Sequence, residues 1–152
     1  MPTVSTTREI FAPLASVWGI VEDPSRYGDW NVTHTGFPDG TPEAYAQGMT
    51  LRERLVIMGM PAEASWTIIS YTDLQGVAMV GDGPLGITLE QTISLAESDD
   101  GTVAEVATTI AGNRLVRPIV ESLAQAARKA AGESLERLSA LANDCLQLQR
   151  TR

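Results

Sequence analysis

Apolar residues recur at steps of three and four along the last quarter of the chain, from Pro118 to Gln149. This period places them on one face of a helix, with charged and amide side chains around the rest. Pro118 suits the first helical turn, because its missing N–H would be unpaired there anyway. Such a helix would run for about 45 Å and needs a large apolar surface to cover it. The stripe consists of Ile119, Val120, Leu123, Ala127, Ala130, Leu138, Leu141, Cys145 and Leu148.

The chain before this helix follows a period of two, which is typical of strands. Short Gly-, Pro- and Asp-rich connections separate most of these segments and predict antiparallel neighbours. Each strand has one apolar and one polar face, as in a sheet covered on one side only, and the long helix is the predicted cover. The predicted strands are Val4–Ile10, Met49–Met58, Ala62–Tyr71, Gly76–Val80, Gly86–Leu95 and Thr102–Ile110, with Trp30–Phe37 as a further candidate.

Two short helical segments are predicted after the first strand. The first opens at Pro13 and ends at Asp23-Pro24, because the residue before a proline is pushed out of the α region. Asp23 is expected to cap a second short turn through Ser25 to Tyr27. The apolar positions of the first helix are Leu14, Val17, Trp18 and Val21.

Composition limits the class of protein. The 152 residues suit a single domain over residues 1–152. A net charge of −8 argues against nucleic-acid binding, because a protein that binds the phosphate backbone needs a dense basic face. The single cysteine, Cys145, excludes an internal disulfide and a cysteine-rich zinc site. No apolar run is long enough to span a membrane and the N-terminus lacks a signal-peptide layout, so a cytoplasmic location is expected.

The order of these elements, with Ile10-Phe11-Ala12-Pro13, Val17-Trp18 and Asp23-Pro24…Trp30, resembles the START/Bet v 1-like superfamily (SRPBCC, helix-grip) over the whole chain. The nearest match is its polyketide cyclase/dehydrase-like branch. Gly59-Met60-Pro61, Trp66-Thr67-Ile68 and Gly81-Asp82-Gly83 are similar to an actinobacterial toxin-like subgroup. The resemblance implies an α+β helix-grip fold. In that fold a curved antiparallel sheet of about six or seven strands wraps around the C-terminal helix. A cavity for a lipid-like or aromatic ligand lies between the sheet and the helix.

Small residues fill the middle of the long helix, from Ala124 to Gly132. They either leave room between helix and sheet or allow close backbone packing, and the resemblance favours a cavity. Tyr27 and Trp30 would close one end of that cavity, Trp66 would form its floor, and the Met58–Met60 hairpin tip would act as a lid. The predicted ligand contacts are Tyr27, Trp30, Leu55, Met58, Met60, Trp66, Met79, Leu89, Gln91, Leu123 and Ala127.

Polar residues in inward registers are the candidates for chemistry. Glu53 and Gln91 fall on apolar faces, and Arg8 shares a register with Val4 and Ile10. Glu53 is either a ligand anchor or acid–base group, or a structural partner of Arg8 or a rim residue.

His34 is the only histidine, and it is either a proton shuttle or a surface residue. The weak catalytic candidates are Glu53, His34 and Tyr71. No metal site or cofactor is predicted, because a second histidine and cysteine ligands are missing. The segment 81–86 is glycine-rich but lies between two strands, which predicts a turn and not a phosphate loop.

Three hypotheses follow. The first is a binding protein for a small hydrophobic molecule. The second is an aromatase/cyclase- or dehydratase-like enzyme, in which Glu53→Gln would abolish turnover and leave apolar binding largely intact. The third is a toxin-like growth inhibitor regulated by a partner protein; the acidic charge and the missing acid–base pair argue against a ribonuclease.

Overall fold

The computed structural model describes residues 2–112 and 117–150. Seven strands, three α-helices and two 3-10 turns make up this part of the chain. In order they are β1 Thr3–Ile10, α1 Leu14–Val21, a 3-10 turn Pro24–Arg26, α2 Tyr27–Trp30, β2 His34–Gly36, β3 Thr50–Ile57, β4 Met60–Thr72, β5 Gly76–Asp82, a 3-10 turn Pro84–Gly86, β6 Thr88–Ser98, β7 Gly101–Ala111 and α3 Arg117–Arg150.

The seven strands form one antiparallel sheet in the order β1-β7-β6-β5-β4-β3-β2. Five consecutive strands, β3 to β7, are neighbours through short turns, whereas β1 pairs with β7 at the far edge. The two short helices bridge the span from β1 to β2 across the sheet. This arrangement confirms the predicted helix-grip α+β fold, a curved sheet with a long helix across its inner face.

The predicted inner faces hold along β3, β4 and β6. Glu53 and Leu55 are buried on β3, while the alternate residues Arg52 and Arg54 are exposed. A bulge between Ile68 and Ser70 shifts the register of β4. Because of this shift Tyr71 turns inward, where its ring packs on Trp18 with centroids 5.5 Å apart.

Three local predictions were wrong. Trp30 ends α2 and does not begin a strand, so β2 is only three residues long. Arg8 shares the register of Val4 and Ile10 but is exposed. The strand β5 runs through Gly81 and Asp82, which had been expected in the turn; both pair with β4, where the Trp66 ring lies directly over Gly81.

The helix α3 has 34 residues and extends for about 51 Å at ~1.5 Å per residue. It contacts β1 and β7 of the sheet and also α1 and α2. Ile119, predicted in the apolar stripe, is 41% exposed; the side chain of Leu148 lies outside the described residues. The buried positions of α3 are Val120, Leu123, Ala124, Ala131, Ser134, Leu135, Leu138, Ser139 and Ala142.

Two separate regions of packed core follow from this helix. One surrounds Leu135 and Leu138 and includes residues of α1 and α2 and of the strands β1 and β4 to β7. The other surrounds Val120 and Leu123 at the opposite end, against β1 and β7. The part of α3 between these regions carries small side chains.

Candidate functional site

A cavity of about 440 Å³ lies between α3 and the inner face of the sheet, in the gap between the two core regions. Its volume falls within the range of ligand sites in proteins, ~300–1,000 Å³. The residues around it are Trp30, Asn31, Thr33, Leu55, Val56, Ile57, Met58, Gly59, Pro84, Ile87, Leu89, Gln91, Val106, Thr108, Ile110, Leu123, Ala126, Ala127, Lys129, Ala130, Ala131, Glu133 and Ser134. Exposed residues, among them Met58, Lys129 and Glu133, belong to this wall, so the cavity reaches the surface there.

The cavity exists because small side chains stand on the helix where the sheet faces it. Ala126, Ala127, Ala130 and Ala131 line it, whereas leucines occupy equivalent inward positions in the packed regions on either side. A Cβ atom added at Gly132 would meet nothing within 4 Å, so close backbone packing does not account for that glycine.

Seven of the eleven predicted ligand contacts line this cavity: Trp30, Leu55, Met58, Leu89, Gln91, Leu123 and Ala127. Of the other four, Tyr27 and Met79 line a smaller neighbouring cavity. Met60 is 67% exposed at the hairpin tip and lies outside both walls. Trp66 is buried on the inner face but packs on Gly81 and Glu53, so it does not form the floor of either cavity.

The smaller cavity, of about 30 Å³, adjoins the larger one. Trp30, Gln91 and Val106 belong to both walls and therefore form the boundary between the cavities. The rest of its wall consists of Val21, Tyr27, Tyr45, Val77, Met79 and Ile93.

A buried polar network connects the three strands at the β2 edge of the sheet. Nδ1 of His34 lies 2.6 Å from Oε2 of Glu53, and Nε1 of Trp66 donates to Oε1 of Glu53 at 3.0 Å. The carboxylate accepts from both neighbours when His34 carries its proton on Nδ1. Glu53 is 2% exposed, so its predicted inward position is correct. Arg8, the alternative partner, is exposed on β1 opposite Ala104 and forms no ion pair with Glu53.

Aromatic rings enclose His34, which is therefore not a surface residue. The ring centroids of Tyr27 and Phe37 lie 4.7 Å and 4.6 Å from that of His34. Burial raises the pKa of the Tyr27 phenol well above its ordinary value, and the Glu53 carboxylate nearby raises it further. Tyr27 therefore remains a neutral hydrogen-bonding group beside the network.

The structure brings two of the three catalytic candidates together but keeps them away from the cavities. His34 and Glu53 form the network, yet neither lines the large or the small cavity. Tyr71 packs on Trp18 instead, away from His34 and Glu53. The contact between His34 and Glu53 joins the three-residue strand β2 to β3.

Several cavity residues carried no recognised signal in the sequence. Asn31 and Thr33 follow α2, where the Asn31 side chain accepts hydrogen bonds from the backbone N–H and hydroxyl of Thr33. Ser134 accepts from the backbone N–H of Val32 at 3.1 Å and so ties α3 to this segment. The available signal was Ser134 itself, a buried serine among the apolar positions of the helix.

Among residues 2–112 and 117–150, no three histidine, cysteine or acidic side chains cluster closely enough to hold a metal ion. Over the same residues, no helix combines the length and apolar character needed to cross a membrane.

A long helix gripped by a curved antiparallel sheet, with an internal cavity between them, defines a START-like domain. Residues 1–143 match the family described as "Polyketide cyclase / dehydrase and lipid transport". The chain belongs to this family.

Relatives and solved structures agree with this assignment. The chain is 27% identical over 136 residues to "Toxin Rv0910" of Mycobacterium tuberculosis, covering 90% of this chain and 94% of that protein. A START superfamily protein from Mycobacterium smegmatis shares 25% identity at a TM-score of 0.64, over 96% of this chain and 98% of its own. Protein CV1439 of Chromobacterium violaceum has the same fold at a TM-score of 0.70 and 15% identity, over 93% and 98% of the two chains.

Proposed function

We propose that this protein binds a small hydrophobic molecule, lipid-like or aromatic, in the cavity between α3 and the sheet. The observation that carries the proposal is the 440 Å³ space walled by alanines between two well-packed core regions. The apolar walls of this open space face water and not protein, so they forgo packing contacts. A ligand of matching shape would restore those contacts.

The wall favours an apolar ligand. Aliphatic residues from the sheet and the helix face the cavity, among them Leu55 on β3, Leu89 on β6 and Leu123 on α3. Burial of about 300 Å² of apolar ligand surface would contribute roughly 7 kcal/mol, before the cost of association is subtracted. Neutral polar side chains, among them Asn31, Gln91 and Ser134, are interspersed in this wall and can orient the polar end of a ligand. Its charged residues, Lys129 and Glu133, are exposed.

The test is to fill the cavity from the helix side. Ala127→Leu replaces a methyl group that faces the cavity by an isobutyl group, and Ala140→Leu makes the same replacement on the exposed face of α3. Calorimetric titration with ethylnaphthalene should show binding to the native protein and to A140L, and at least tenfold weaker binding to A127L. Equal affinity for A127L and native protein would place the ligand elsewhere and refute the proposal.

An aromatase/cyclase- or dehydratase-like enzyme receives less support from the geometry. Its two acid–base candidates, His34 and Glu53, contact one another and do not line the cavity. A turnover assay with Glu53→Gln separates the proposals, because an enzyme that used this carboxylate would lose its activity while apolar binding persisted.

The toxin-named relative provides a specific reason to keep the growth-inhibitor hypothesis. The identity of 27% extends over 90% of this chain. Induced expression in an actinobacterial host should arrest growth under this hypothesis, and A127L shows whether the effect requires the cavity. Normal growth on expression would refute the growth-inhibitor hypothesis. A cytoplasmic location remains a prediction of the sequence.

A further inference from the structure

The indole N–H of Trp30 is buried without a hydrogen-bond partner. Within residues 2–112 and 117–150 it is the one fully buried side-chain nitrogen or oxygen left unpaired. Trp30 itself is 5% exposed. Buried polar groups in native proteins are nearly always paired, and an indole can only donate. No described protein atom accepts from this N–H, so a bound ligand could supply the acceptor.

Trp30 stands at the boundary of the two cavities, so a ligand acceptor that pairs with its N–H would have to approach from this boundary. Trp30 and Gln91 belong to the walls of both cavities. Gln91 lies on the inner face of β6, between Met79 of β5 and Thr108 of β7. Its amide adds a second hydrogen-bonding group beside the indole.

The size of the inner cavity limits what reaches this boundary from the ligand. About 30 Å³ holds one or two atoms of the size of a water oxygen and no more. The body of a ligand must therefore remain in the 440 Å³ cavity, and only a small polar tip can extend past Trp30.

The charge around the inner cavity limits the tip further. None of the residues in its wall is a lysine or arginine. Tyr27 and Tyr45 stay protonated there, because burial raises the pKa of both phenols and the Glu53 carboxylate raises them further. A carboxylate tip would be desolvated there without a positive partner in the wall, which is costly.

We infer that Trp30 and Gln91 form a subsite for the neutral acceptor oxygen, a carbonyl or hydroxyl, of an otherwise apolar ligand. The inference rests on the proposed function and narrows its ligand class: ketones, aldehydes and alcohols are favoured over hydrocarbons and over acids whose carboxylate would have to enter the inner cavity. In the bound state the oxygen accepts from Nε1 of Trp30, and the Gln91 amide contacts the same oxygen.

Three probes of one shape test this assignment: acetylnaphthalene, ethylnaphthalene and naphthoate, titrated at neutral pH. A hydrogen bond that satisfies a buried donor is worth about a five- to tenfold gain in affinity. Acetylnaphthalene should therefore bind native protein about five- to tenfold more tightly than ethylnaphthalene, and naphthoate should bind more weakly than acetylnaphthalene. Equal affinities for the acetyl and ethyl probes would overturn the subsite.

Variants assign the preference to residues. Trp30→Phe keeps an aromatic ring and removes the N–H, so the acetyl-to-ethyl ratio should fall to about one. Trp18→Phe is the matched control, because the Trp18 N–H donates to Asp73 at 2.7 Å and Trp18 lines neither cavity. An unchanged ratio in W30F would overturn the role of Trp30.

Gln91→Leu provides an independent variant should W30F fold poorly, and it should also lower the ratio. If ethylnaphthalene itself fails to bind native protein, the proposed cavity function fails, and the subsite fails with it. Binding of both probes without preference refutes the subsite alone.

Discussion

Substitution of Glu53 by alanine is predicted to destabilise the protein severely. The carboxylate accepts from Nδ1 of His34 at 2.6 Å and from Nε1 of Trp66 at 3.0 Å. Glu53→Ala leaves two buried donors without an acceptor, at a cost of about 1–3 kcal/mol each. Recovery of the carboxylate's own desolvation cost offsets part of this loss. A total of about 2–5 kcal/mol is a large fraction of the ~5–15 kcal/mol that stabilises an ordinary domain.

Glu53→Gln gives the graded test. The amide oxygen can still accept from Trp66, but its NH₂ group faces His34, which must change tautomer to accept from it. The expected loss is therefore smaller, about 1–2 kcal/mol, because both bonds can still form but lose the assistance of the carboxylate charge. Glu63→Gln is the control, since Glu63 is exposed and its 3.5 Å contact with Arg52 is worth little.

The assay is urea denaturation of the four proteins at neutral pH, with ethylnaphthalene titration alongside. The free energy of unfolding should fall in the order native, E53Q, E53A, with E63Q within about 0.5 kcal/mol of native. The affinity of E53Q for ethylnaphthalene should stay within about twofold of native, because Glu53 does not line the cavity. Full stability of E53A, or loss of probe binding in a folded E53Q, would refute the structural role.

Two further results are expected. Gly81→Ala should destabilise the protein by several kcal/mol, because its Cβ would lie 2.6 Å from Cε3 of Trp66. Gly132→Ala should instead raise the free energy of unfolding by about 0.5–1 kcal/mol, because a Cβ at this helical position meets nothing within 4 Å. Equal effects of the two substitutions in a denaturation assay would contradict both expectations. Burial raises the pKa of Tyr27 and Tyr45, so these phenols stay protonated in the folded protein at a pH where the unfolded chain has already lost its protons. Stability should therefore decline as the pH rises above about 10, and most of the tyrosinate absorbance should appear together with unfolding. The partly buried Tyr71 can ionise earlier, so Tyr71→Phe is the background for this titration. A gradual increase centred near pH 10 in folded Y71F would show that Tyr27 and Tyr45 are not buried.

The architecture was predictable because each element has a strong local signal. The period along α3 extends over 34 residues, and the turns between β3 and β7 are short, so few other arrangements bury the apolar faces. The position of β5 was harder, since Gly81 resembles a turn residue locally. It belongs to the strand, where it pairs with Trp66 of the neighbouring strand β4 and leaves space for that ring.

The site was predictable in composition and less so in geometry. Alternation along β3 placed Glu53 inside, but no local pattern identifies its partner. That partner is His34, on a strand of only three residues, and its position depends on the turn that Asn31 caps after α2. The boundary formed by Trp30 and Gln91 depends in the same way on contacts between distant parts of the chain.

Native mass spectrometry of the purified protein, followed by solvent extraction of whatever is released, tests the central claim most directly. We expect an adduct of a few hundred daltons on the native protein and on A140L, absent from A127L, whose leucine occupies the cavity. Extraction should yield an apolar molecule with a neutral oxygen. An adduct that A127L retains, or a bare native protein that also fails to bind ethylnaphthalene, would contradict a ligand cavity between α3 and the sheet.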